Sequence, residues 1–188
     1  NFFTLNILKL FDHFYQKKLI NFFKKKNKFK FNVLLDVGAH KGETIKLFAG
    51  NFDVKEVYSF EPIPTSFKIL SKNINKIRNK FKETKIFLEN FALGAEKKKI
   101  LIKLISESSS STIRDLNTKS KYFKKKFFFL KYFKDKKLFK QIEVNQILLS
   151  DYVENKNIKN IDLLKIDTEG YELEVLKGAQ SILYKTKY

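Results

Sequence analysis

Acidic side chains placed along short apolar runs are the residues of this sequence best suited to chemistry. Asp36 stands in the run 33–37, and glycines follow it at positions 38 and 42; Glu61 closes a second run, 54–60, with Pro62 next. A third acid, Asp167, closes the run 161–166, and Glu169 lies two residues further on. A carboxylate can accept hydrogen bonds from a diol, pair with an ammonium, or take a proton from a hydroxyl. Glycines beside it let the backbone turn sharply and pass close to a ligand, because they carry no Cβ.

Elements must hold these groups in place. Residues 33–37 are short, β-branched and apolar, bounded by polar residues, as expected for a strand buried on both faces of a parallel sheet. The turn 38–42 then delivers amide N–H groups at a helix start, and Asp36 is expected to point back into the same space. Residues 54–60 read as a second strand. Glu61 lies roughly 20 residues past the glycines, the usual distance to a ribose-binding carboxylate in a Rossmann-like βαβ unit. No Gly-x-Gly-x-x-Gly occurs, which argues against a pyrophosphate-containing dinucleotide. A nucleoside with a small amino-acid tail suits the loop better, and S-adenosylmethionine fits that description. The strand 161–166 puts Asp167 at its carboxyl end, where open α/β sheets bind ligands.

With 188 residues and a hydrophobic share of 43%, the chain is long enough to bury the core of one globular domain. The absence of cysteine excludes disulfides, thiolate metal sites and a cysteine nucleophile; it is compatible with a reducing compartment, and a cytoplasmic location is expected. No apolar run approaches about 20 residues, and the start lacks a signal peptide's uncharged core. The net charge of +19 invites a nucleic-acid reading. Yet the basic residues other than Arg78 and Arg114 are lysines, whereas arginine is favoured for bidentate phosphate and base contacts. Lys, Asn, Ile and Phe are abundant together, so most lysines are read as solvated drift from AT-rich coding, and no nucleic-acid partner is expected. Methionine is absent even at position 1, so the chain is expected to begin inside a longer reading frame.

Residues 1–30 read as a basic amphipathic helix and linker. Leu8, Phe11, Tyr15, Leu19 and Phe22 recur at helical spacing behind a Thr4 cap; this stripe is expected to pack on a sheet edge, with peripheral membrane contact as the alternative. Further helices are expected over 41–49, stopped by Gly50, and from a Thr65 or Ser66 cap to Ile77, with a third strand over 85–91. Strand, helix, strand, helix, strand makes a right-handed α/β sheet the economical architecture. Residues 99–105 and 141–147 alternate as antiparallel partners would. The insertion between them, about 106–140, holds a serine-rich stretch and a Phe/Lys-rich stretch over 119–140; the latter is expected to form a lid over the site, with a membrane-contacting element as the alternative. A short helix begins at Ser150.

Six blocks then fall into a pattern: Leu35-Asp36-Val37-Gly38-Ala39-His40-Lys41-Gly42, Phe60-Glu61-Pro62, Ala92-Leu93-Gly94, the serines 108–111, Leu164-Lys165-Ile166-Asp167-Thr168-Glu169-Gly170-Tyr171-Glu172, and Val175-Leu176-Lys177-Gly178. Together they resemble the FkbM family of S-adenosylmethionine-dependent methyltransferases. The block with Lys-Ile-Asp-x-Glu-Gly-x-Glu is the most specific; the first two occur across class I methyltransferases. The resemblance implies a Rossmann-like class I methyltransferase sheet over 31–188, with an inserted β-hairpin and helical segment. It also implies O-methylation of a hydroxyl on a sugar or other small metabolite, so a small-molecule or glycan acceptor is the expected partner. By the same analogy Asp36, Gly38 and Gly42 would hold the methionine end of the cofactor, Glu61 would take the ribose hydroxyls, and Asn90, Phe91 and Ala92 would flank the adenine. Ala39 and Pro62 join the cofactor set as members of the same motifs. Asp167 and Glu169 are the candidate catalytic residues, with Asp167 as base for the hydroxyl proton.

Each assignment has a plainer competitor. Asp36 and Glu61 could cap helices, and Asp167 and Glu169 could satisfy amides of the following helix. Glu172 and Glu174 read as first-turn helix acids, and His40 as a loop-packing residue. Asp167 with Glu169 is thin support for Mg²⁺, so no metal is expected. The rival functions are a Rossmann-like NAD-dependent oxidoreductase and a basic module for nucleic acid or anionic membrane. Class I sheets have seven strands, and nothing strand-like is expected after Tyr184. The sheet is therefore expected to stop after its fourth strand and helix, leaving that strand an open edge and the isolated chain poorly soluble or loosely folded, with weak or no catalysis.

Overall fold

The computed structural model describes residues 2–26, 28–105, 111–112 and 139–188. Most of the serine-rich stretch and of the segment expected to form a lid therefore lies outside the described residues. The chain runs α1 (Phe2–Lys25), β1 (Lys30–Val37), α2 (Glu43–Ala49), β2 (Asp53–Phe60), α3 (Pro64–Lys80), β3 (Lys85–Glu89), β4 (Ala92–Leu93), β5 (Lys98–Ile105) and β6 (Ser111–Thr112). It continues through β7 (Phe139–Ile147), α4 (Leu149–Asn155), β8 (Leu163–Ile166) and α5 (Glu172–Ala179) to a 3-10 helix over Gln180–Lys185.

One sheet is parallel throughout, in the order β3-β2-β1-β8. β1 lies inside it and is buried on both faces, which is why it reads as an unbroken apolar run. Leu34 faces a core with Phe31, Ile45, Phe48, Leu70 and Ile74, while Leu35 and Val37 face a second core with Phe60, Val153, Val175 and Ile182. From β1 the chain steps through β2 to β3 on one side, then crosses to the other side of β1 for β8. That reversal opens a crevice at the carboxyl ends of β1 and β8.

The second sheet has the order β4-β7-β5-β6. β5 and β7 pair antiparallel from Lys98↔Gln146 to Ile105↔Phe139, as the alternation in the sequence predicts. Its apolar face, with Ile100, Ile102 and Val144, closes on Ala92 and Ile63 beside that crevice. The third strand, expected over 85–91, ends at Glu89. Asn90 Nδ2 donates to the carbonyls of Glu61 and Pro62 at 2.8 and 3.2 Å, and the chain then joins the second sheet as β4, parallel to β7.

Helix starts also differ from expectation. α2 begins at Glu43 rather than Lys41, because Gly42 occupies the N-cap in a left-handed conformation with φ 89°. Neither Thr65 nor Ser66 caps α3; Pro64 takes the first helical turn, where its missing N–H has no intrahelical partner to lose.

α1 turns a different face to the core than its stripe predicts. Tyr15, Leu19 and Phe22 are 70%, 41% and 46% exposed. The helix is anchored by Phe23, whose ring meets Phe31, Phe48 and Phe52 edge-on at centroid distances of 5.1, 5.8 and 6.1 Å. Among the described side chains of α1, this socket at the start of β1 takes Phe23 from the last turn, with Ile20 packed beside it. The exposed stripe is the face that a membrane-surface contact would use. Among the described residues no helix is long and apolar enough to cross a membrane.

The outer edge of β8, expected to be open, is met by the last residues of the chain. Ile161 and Thr186 form a parallel bridge, and Leu164 N donates to Tyr188 O at 2.9 Å.

Candidate active site

The turn after β1 passes through Gly38 at φ 79°, His40 at φ 47° and Gly42 at φ 89°. Gly38 faces the carbonyl of Asp167, and a Cβ there would overlap that oxygen, so β1 and β8 can close at this point only on glycine. Gly42 faces the other way: a Cβ on it would stand 3.1 Å from Leu70 Cδ1, so it serves the packing of α3 rather than close approach to a ligand.

At the crevice lies a cavity of about 190 Å³. Its polar wall includes Gly38, His40, Glu61, Asp167, Thr168 and Glu169; its apolar wall includes Phe60, Ile63, Phe91, Ala92, Leu93 and Ile102. Sites for drug-sized ligands usually run from roughly 300 to 1,000 Å³, so the described walls alone would hold only part of such a ligand. Of the residues singled out from sequence, Gly38, Glu61, Pro62, Phe91, Ala92, Asp167 and Glu169 are brought together here, whereas Asp36, Ala39, Gly42 and Asn90 do not line the cavity.

Glu61 is 4% exposed and holds two backbone amides, accepting from His40 N through Oε2 and from Ile63 N through Oε1, both at 2.9 Å. One carboxylate thus ties the glycine turn to the start of α3. Burial pushes its carboxyl up from the usual range, and the two amides oppose that shift.

Asp36 departs further from expectation. It is fully buried, no backbone amide holds its carboxylate, and its polar neighbours are Lys165 and Thr44. Lys165 Nζ stands 3.1 Å from Oδ1, an ion pair across the two strands. The cause is register: Asp36 and Lys165 are paired residues of β1 and β8, so their side chains share one face. Burial raises the Asp36 carboxyl, with Lys165 pulling against it. The same ammonium donates to Gly38 O at 3.0 Å and lies 3.7 Å from Asp167 Oδ2.

Beyond β8 the chain turns at Glu169 (φ 54°) and Gly170 (φ 101°). Glu172, at the first helical position of α5, ties this loop: its Oε1 accepts from Thr168 N, Thr168 Oγ1 and Gly170 N at 3.0, 3.2 and 3.0 Å. These amides belong to the loop before α5, not to the helix itself. The Asp167 side chain is 70% exposed at the cavity. Tyr171 donates to Gln146 Oε1 at 3.0 Å, and Gln146 Nε2 donates to Glu96 O at 2.8 Å, so a buried amide couples the cavity wall to the second sheet. Sequence reasoning gave no role to Lys165, Gln146 or Ile102. Lys165 stood in the most specific block, whereas Gln146 and Ile102 were signalled only by position in a strand, which becomes contact once pairing is known.

The profile of the Methyltransferase FkbM domain matches residues 36–188, from Asp36 of the glycine turn to the end of the chain. The chain belongs to the FkbM methyltransferase family. A crystal structure of methyltransferase FkbM from Methylobacillus flagellatus KT shares the fold, with a TM-score of 0.51 and 15% identity over 80% of this chain. The chain spans 29% of that protein's length. No curated protein matches the sequence. Within this FkbM domain the matched span begins at the acid that β1 buries and takes in the whole cavity wall. Methyltransferase membership implies a methyl donor, and the crevice at the strand ends is the place where this fold receives ligands.

Proposed function

We propose that this FkbM methyltransferase domain binds S-adenosylmethionine and directs its methyl group to a hydroxyl of a sugar or other small metabolite. The observation that carries the reading is the convergence of the glycine turn, Glu61 and Asp167 on one cavity. The residues fit the cofactor. Gly38 leaves bare backbone at the cavity, and each Glu61 oxygen, already holding one amide, keeps a lone pair for one hydroxyl of a diol.

When bound, S-adenosylmethionine would supply an electrophilic methyl group on its sulfonium. Phe91 and Ala92 would flank the adenine, with Asn90 holding the corner from behind. Asp167, beside Glu169 on the cavity wall, would take the proton of the acceptor hydroxyl. Ile63, Leu93 and Ile102 would keep water from the reacting atoms. The lack of cysteine suits a cytoplasmic site of action.

Calorimetric titration with S-adenosylhomocysteine tests the reading. Glu61→Gln keeps an acceptor for the turn but loses the charge, and is expected to weaken binding by about 1.5–3 kcal/mol. Unchanged affinity in a folded variant would remove Glu61 from the site. Asp167→Asn is expected to lower turnover by about 10² or more with cofactor affinity nearly unchanged; equal losses in both would make Asp167 a binding residue instead.

A further inference from the structure

Asp36 cannot meet a ligand directly, because it is fully buried. Lys165, its partly exposed neighbour, does not line the cavity either but stands beside two residues that do. That ammonium sits at the seam where β1 and β8 close, bonded to Gly38 O and 3.7 Å from Asp167 Oδ2, and Gly38 and Asp167 both line the cavity. The Lys165 side chain is only about a quarter exposed and is held by Asp36, so its charge is placed rather than free to roam. An ammonium carries three donors; the hydrogen bond to Gly38 uses one and Asp36 takes a second, which leaves one for a ligand.

The surrounding charge gives this placement meaning. The cavity wall carries Glu61, Asp167 and Glu169 but no lysine or arginine among its described residues. An amino-acid tail is a zwitterion: its ammonium suits such a wall, whereas its carboxylate would be repelled by it. Lys165 is the cation positioned at the edge of that wall to offset the repulsion.

We propose that Lys165, with Asp36 as its buried counter-ion, receives the carboxylate at the methionine end of the cofactor. The inference rests on the S-adenosylmethionine reading above, and it changes the role of Asp36 from ligand contact to positioning residue. It makes the site selective for a ligand that keeps its carboxylate.

The test compares S-adenosylmethionine with its decarboxylated form by calorimetry. Wild-type protein is expected to favour the carboxylate-bearing ligand by about tenfold or more, as for a charge-assisted hydrogen bond. Lys165→Met is expected to erase that preference by weakening S-adenosylmethionine alone, and Lys165→Arg to retain part of it. Should Lys165→Met fail to melt cooperatively, Lys165→Gln, which keeps a donor towards Gly38 O, is read in the same way. Equal weakening of both ligands would reduce Lys165 to a structural role and overturn the inference. So would a preference that survives either neutral variant. Wild-type protein that binds neither ligand would overturn the cofactor reading itself, and the inference with it.

Discussion

A fully buried carboxylate that no backbone amide holds, as Asp36 is, costs stability whenever it is ionised. Its carboxyl is raised by burial despite Lys165, so the folded state holds the proton more tightly than the unfolded chain. The unfolded state therefore loses its proton first as pH rises through the ordinary carboxylate range, and stability falls as pH climbs towards the raised folded value. Asp36→Asn removes that penalty and leaves Lys165 partly hydrated. The variant is expected to melt above wild type at neutral pH, with the gap closing below the ordinary carboxylate range. Thermal melts at about pH 3 and 7 check this; a gap that does not change with pH would mean that the charge is not the cause. A gain in stability together with weaker cofactor binding would show that this buried charge is retained for ligand binding.

At the scale of elements, α1 shows how periodicity can predict a helix and still misplace its buried face. Both its exposed stripe and its buried turn are apolar, and hydropathy alone does not say which meets the sheet. The aromatic socket at the start of β1 decides in favour of Phe23. Phe23→Ala is expected to cost about 3–5 kcal/mol by emptying that socket. Leu19→Gln, on the exposed stripe, is expected to stay within about 0.5 kcal/mol of wild type. Urea denaturation of the two variants checks the contrast; similar losses would mean that the stripe is covered in solution.

Across the whole molecule, the two sheets are joined where two glycines cross. Gly178 of α5 lies against the carbonyl of Gly94, just after β4, and a Cβ at 178 would overlap it; a Cβ on Gly94 would in turn overlap the Gln146 amide. Gly178→Ala gains about 1 kcal/mol of helix propensity but must force the backbones apart, at about 1–3 kcal/mol. Net destabilisation is expected in urea denaturation, together with weaker S-adenosylhomocysteine binding, because the shift passes through Gln146 to Tyr171 on the cavity wall. A more stable variant with unchanged affinity would show that the crossing yields without strain.

Much of this architecture was legible in the sequence. The apolar runs of β1, β2 and β8, the β5/β7 alternation, and the acids and glycines at strand ends are local patterns, and local patterns suffice to specify strands, turns and a sheet class. Glu61 and Asp167 reach the cavity as their positions at strand ends foretold. The fate of Asp36 was not legible. Whether an acid next to a glycine turn faces ligand or core depends on the pleat and on the residue paired with it across the sheet, and Lys165 lies far from it along the chain. The same holds for Gly42, which packs on α3, for Asn90, which bonds the carbonyls of Glu61 and Pro62, and for the edge of β8 beside Tyr188. The sequence by itself determined which elements form and which residues stand at their ends, because propensity, hydrophobic period and turn chemistry act over a few residues. Only the tertiary structure decided which of those residues share a site, because register and packing bring together side chains that no local pattern relates.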